Sequence, residues 1–149
     1  MYLIAICVAG FAVLIFGLVR MIQLRRRREL ARYSIDPEEL HALLESKKDI
    51  VVLDVRQPLD LLAYSEIIPG AMRVPPHDVM TQAGLIPKDK DSVLYCTCVS
   101  DKTSRMVLES ALRLQFSRIK FLKGGLPAWK AKGYPVEPYT KPFHLDTVV

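Results

Sequence analysis

Hydrophobic and polar positions divide the chain into two regimes. Residues 2–19, YLIAICVAGFAVLIFGLV, carry neither charge nor proline. As a helix rising about 1.5 Å per residue they reach about 27 Å, close to the apolar thickness of a bilayer. Met21, Ile22 and Leu24 lengthen the run if Arg20 snorkels to the interface. In lipid, a single segment satisfies its own backbone polar groups only as a helix. A cleaved export signal would carry basic residues ahead of a shorter apolar core. Here the arginines follow the run, so the pattern predicts an uncleaved transmembrane anchor over residues 1–24 and a basic juxtamembrane linker over 25–32.

Beyond residue 32 the apolar positions come in short bursts. Asp36, Pro37 and Glu39 predict a helix start, with Asp36 capping, Pro37 in the first turn and Glu39 completing a capping box. Leu40, Leu43 and Leu44 then mark one helical face. Residues 50–55 (IVVLDV) and 92–95 (SVLY) are short apolar runs of the kind that form buried strands. A third-layer strand is expected over 71–74, a short helical turn over 76–82, and another strand over 119–122. Val107, Ala111 and Leu114 give a helix over 103–114 its apolar face. Gly124 and Gly125 predict a turn, and 126–132 a closing helix ended by Gly133. Alternating strands and helices imply an α/β domain with a mostly parallel central sheet flanked by helices, over residues 33–138. Pro135, Pro138 and Pro142 suggest extended chain, and 139–149 is expected to be a loosely ordered tail.

A chain of 149 residues has room for one such domain. The net charge of +5 is local: six arginines, at 20, 25–28 and 32, face Glu29 alone, and the remaining charges cancel. A basic groove for nucleic acid is therefore excluded. Arginines flanking an apolar span orient it, so the N-terminus is expected outside and the domain in the cytoplasm, at the cell membrane. The same cluster suits anionic lipid head groups.

Three cysteines, at 7, 96 and 98, are too few for a secreted disulfide framework. Cys7 sits in the apolar run. Cys96 follows the second buried strand, where a parallel α/β sheet presents reactive groups. A loop curling before a helix aims backbone N–H groups at one spot, which stabilises a thiolate. Lys102 adds a cation, and Ser100, Thr103 and Ser104 can donate to an anion or cap the helix. Asp101 opposes a thiolate; its other role is helix capping.

In chain order the sequence carries Ser34 to Leu40, then LDVR at 53–56, IPGA at 68–71, LYC at 94–96 and LKGGLPAWKAKGYPV at 122–136. Together these resemble the rhodanese family over roughly residues 33–137. The resemblance implies a persulfide on the cysteine ending LYC, Cys96, passed on to a thiophilic acceptor. It implies structural roles for Asp54, Arg56, Gly124, Gly125 and Trp129, and a substrate loop of Thr97, Cys98, Val99, Ser100, Asp101, Lys102 and Thr103. Departures are clear. Ile67 stands where the family carries a histidine, and the loop after Cys96 is longer, with Lys102 in place of arginine. Cys98 is spaced from the Gly-Gly turn as the usual catalytic cysteine would be, so it is the alternative nucleophile.

The expected function is a membrane-anchored sulfurtransferase served by a small sulfur-donor anion or a persulfide donor protein. Its other partners would be the bilayer and a membrane protein, with no cofactor. Competing with it are a tethered binding module without turnover and a phosphatase or arsenate reductase; for the last, Lys102 lacks the planar fork of arginine. Two further roles are open to Cys98: closing a disulfide onto Cys96, or simply filling the loop. A zinc site is disfavoured because His41, His77 and His144 show no ligand spacing.

Overall fold

The computed structural model describes residues 2–81, 86–98 and 101–141, and for residues 2–9, 30, 80 and 81 the backbone alone. The chain divides into two compact units, Met1–Tyr33 and Ser34–Val149.

The first unit is one helix, α1 (Tyr2–Ala31). The basic stretch expected as a linker continues this helix, in keeping with the high helix propensity of arginine. A lone helix has no core, and Phe11, Leu14, Phe16 and Leu18 are exposed. The side chains of residues 1–9, nine of the 24 residues of the expected anchor, lie outside the described residues. Among the described residues no helix is long and apolar enough to cross a membrane.

The second unit runs β1 (Ser34–Ile35), α2 (Pro37–Glu45), β2 (Ile50–Asp54), α3 (Pro58–Ala63), β3 (Glu66–Ile67), β4 (Met72–Arg73), α4 (Pro76–Thr81), β5 (Asp91–Tyr95), α5 (Lys102–Arg113), β6 (Ile119–Leu122), α6 (Gly125–Ala131) and β7 (Glu137–Pro138). Five strands form one sheet in the order β1-β6-β5-β2-β4. Every neighbouring pair in it is parallel. The apolar runs at β2 and β5 pair along their whole length, from Ile50–Asp91 to Asp54–Tyr95. Being central, they are buried on both faces, which is why their sequences do not alternate.

Two expectations change. The strand foreseen in a third layer is β4, the edge of the main sheet, held to β2 through Leu53–Met72 and Asp54–Arg73. Asp36 occupies the N-cap of α2 but makes no capping bond; its carboxylate takes the Lys123 ammonium at 3.0 and 3.2 Å instead. A full charge opposite outcompetes a neutral amide for that carboxylate. Pro37 does sit in the first turn.

On one side of the sheet Trp129 packs with Ile35, Leu40, Val52, Val93, Tyr95, Leu122 and Leu126, and its indole N–H donates to the Pro135 carbonyl at 2.8 Å. Past it, β7 pairs antiparallel with β3 through Glu66–Pro138 and Ile67–Glu137. The Tyr139 amide then donates to the Ser65 carbonyl at 2.6 Å. Of the segment expected as a loose tail, residues 139–141 are described and 142–149, with His144, lie outside the described residues.

Candidate active site

The middle strand β5 delivers Cys96 to its carboxyl end. Val93, Leu94 and Tyr95 are core residues, and Cys96 prolongs that run with no exposed surface of its own. Its backbone is fixed from the opposite side. The Leu126 amide donates to the Cys96 carbonyl at 2.8 Å, which brings the start of α6 against the end of β5. Only glycine permits this approach: a Cβ on Gly125, whose φ is +55°, would overlap the Cys96 carbonyl oxygen. Gly124 precedes it at φ +68°. The Gly-Gly turn is thus a backbone-on-backbone contact beneath the cysteine.

Above the cysteine lies the first turn of α5, whose amides have no partners within the helix. The sulfur of Cys96 donates weakly to the Cys98 carbonyl at 3.8 Å. Burial pushes the Cys96 thiol above its ordinary range, against the pull of the Ser104 hydroxyl and amide and the Cys98 amide, with Cys98 itself adding to the rise. The expected thiolate-stabilising loop is therefore corrected: helix-end donors are present, but desolvation outweighs them. The Ser104 hydroxyl is buried without a hydrogen-bond partner.

The other loop residues separate. Cys98 is half-buried, its sulfur 3.6 Å from the Thr103 hydroxyl. Thr97 is half-buried too, with an unpartnered hydroxyl. Val99 and Ser100 lie outside the described residues. Lys102 is exposed at the start of α5.

Asp101 is buried, in the left-handed region at φ 54°, and makes no side-chain cap on α5. Burial raises its carboxyl, while a hydrogen bond from the Gly124 amide and the charge of Arg105 lower it. Its carboxylate therefore lies beside the Gly-Gly turn. That placement was hidden in sequence, since 23 residues separate the two positions.

Behind the site Asp54 and Arg56 form a buried ion pair. Arg56 Nε donates to both carboxylate oxygens at 2.9 Å, Nη2 donates to Oδ2 at 2.5 Å, and Nη1 to the Tyr64 carbonyl at 2.7 Å. Burial opposes the guanidinium charge, yet Asp54 holds its pKa above the ordinary value. Beside the loop a cavity of about 350 Å³ is lined by Tyr64, Thr97, Leu126, Pro127 and Lys130. Only Thr97 of these was singled out by sequence. Tyr64 comes from the end of α3, an element that no apolar periodicity announced. Lys130 is ion-paired with Glu66.

A cysteine-bearing loop between a central parallel strand and a helix, seated on a Gly-Gly turn, defines a thiol-centred α/β domain. This chain belongs to the rhodanese-like domain family, whose model matches residues 36–132. A sulfurtransferase of Allochromatium vinosum is 31% identical over 102 residues, covering 68% of this chain and 92% of that protein. The probable adenylyltransferase/sulfurtransferase MoeZ of Mycobacterium tuberculosis is also 31% identical, over 104 residues that cover 68% of this chain but only 26% of the larger protein. Among solved structures, the Alr3790 protein of Anabaena superposes with a TM-score of 0.61 at 32% identity, over 70% of this chain and 82% of that one. A full-length Lactobacillus plantarum protein superposes at 0.68 with 25% identity, over 80% and 98%. Sulfurtransferase homologues thus support a sulfurtransferase function.

Proposed function

We propose that the protein is a membrane-anchored sulfurtransferase that carries sulfane sulfur as a persulfide on Cys96. The observation that carries this reading is the position of Cys96 at the carboxyl end of the central strand β5, ahead of α5 and seated on the Gly-Gly turn. The Cys96 thiolate attacks the outer sulfur of a small anionic donor such as thiosulfate. A new S–S bond forms, and sulfite leaves with the electron pair of the old one. A thiophilic acceptor (cyanide, a thiol or a protein) then takes the outer sulfur and returns Cys96 to the thiolate. A persulfide-carrying protein serves equally as donor. The helix-end donors stabilise the charged sulfur of the loaded form, and the chemistry needs no cofactor.

The burial of Cys96 favours a second reading, a tethered rhodanese-like module that binds without turnover. Mass analysis after incubation with thiosulfate separates the two. The peptide holding both cysteines should gain about 32 Da; the gain should vanish in Cys96→Ser and persist in Cys98→Ser. The reverse pattern assigns the sulfur to Cys98, and no gain in any chain leaves only the binding module.

Anchoring is supported by the charge-free residues 2–19 followed by the arginine cluster, which also favours a cytoplasmic domain with the bilayer and a membrane protein as partners. The full chain is expected to remain with membranes through alkaline carbonate extraction. Its release into the supernatant would rule out a spanning anchor.

A further inference from the structure

Two free thiols share the loop between β5 and α5 in this site, and they differ in access. Cys96 is fully buried and Cys98 half-buried. Between them the chain bends at Thr97, and the Cys98 carbonyl lies 3.8 Å from the Cys96 sulfur. The two sulfurs address adjacent residues of the first turn of α5. Cys98 lies 3.6 Å from the Thr103 hydroxyl, while the Ser104 hydroxyl and amide act on Cys96.

The consequence concerns what happens to a loaded sulfur. Cys96 has no exposed surface, so an outside acceptor reaches its sulfur only once the loop opens, whereas the Cys98 thiol already lies within that loop, two residues away. Building on the persulfide reading above, we propose that Cys98 is a resolving thiol that discharges the Cys96 persulfide internally as hydrogen sulfide. The Cys98 thiolate attacks the inner sulfur of Cys96–S–SH. A Cys96–Cys98 disulfide forms, the inner-to-outer S–S bond breaks, and the outer sulfur leaves as HS⁻ with that bond's electron pair. The sulfane sulfur is reduced and the two cysteine sulfurs are oxidised, so no outside oxidant enters. A dithiol reductant then exchanges with the disulfide and restores both thiols. A ring closed across a single intervening residue is strained, which makes it readily reducible.

The test uses the full chain in detergent, loaded with thiosulfate in thiol-free buffer and then freed of excess donor. The unmodified protein should release sulfide in step with loss of the persulfide and end about 2 Da lighter than its reduced form. Cys98→Ser should load Cys96 yet release sulfide at least roughly tenfold more slowly, regaining speed when dithiothreitol is added. If the unmodified chain holds its persulfide as long as Cys98→Ser does, the resolving role is wrong while the persulfide reading stands. Sulfur recovered on Cys98 without a disulfide also overturns the proposal, in favour of a relay between the two thiols. If no chain loads at all, the persulfide reading itself fails and this step falls with it.

Discussion

Gly125→Ala should cost the domain about 4 kcal/mol and abolish sulfur loading together with it. Two independent effects add. At φ +55° a side chain costs about 1–2 kcal/mol of backbone strain. The new methyl would also overlap the Cys96 carbonyl oxygen, which belongs to the backbone and cannot swing aside. Relieving the overlap means moving α6 off the end of β5 and giving up the bond from the Leu126 amide to Cys96, 2.8 Å long. For a domain of this size thermal unfolding should fall by about 15–25 °C, read by circular dichroism. Gly133→Ala is the matched control. Its φ is +71°, but nothing stands within 4 Å of the added carbon, so only the backbone strain of about 1–2 kcal/mol remains. Equal losses in the two variants would show that the close approach at Cys96 is not what selects glycine.

Arg56→Ala should destabilise the fold by about 3–5 kcal/mol, measured by urea unfolding. The loss comes less from the arginine than from what it leaves behind. Asp54 is 1% exposed, and without its partner it is an uncompensated buried charge. The Tyr64 carbonyl loses its donor as well. Arg56→Lys should recover only a minor part, because an ammonium cannot meet both carboxylate oxygens and Tyr64 at once. Full recovery by lysine would mean that charge alone, without the fork, holds this corner together.

The parts of the fold legible in sequence were those whose physics is local. The apolar runs of β2 and β5 announce central parallel strands because burial on both faces removes alternation. Gly124 and Gly125 announce a turn because positive φ selects glycine. Other features depend on partners far along the chain. Asp36 looks like a helix cap until Lys123 arrives beside it. Asp101 looks like another, yet it lies beside the Gly-Gly turn. Short elements escaped for a different reason: β1, β3 and β7 have two residues each, too few to show any period.

The candidate site was readable as a composition of the loop but not as an arrangement. Cysteine after a buried strand located the chemistry, and Thr97, Cys98, Asp101 and Thr103 do gather around it. Exposure was not readable. Whether the sulfur at the end of β5 faces solvent or core depends on where α5 and α6 close over it, and neither helix records that in its own sequence. The same gap hid the cavity, whose lining residues come from α3, the loop and α6.

The short β3–β7 ribbon has a mechanical meaning for this site. It works as a buckle, fastening the strap at 137–139 to the stretch that begins at Tyr64. Tyr64 is both a wall of the cavity and the rest on which Arg56 leans. The ribbon thus joins the chain beyond Trp129 to the stretch that walls the cavity, although no strap residue comes from the sulfur-bearing loop.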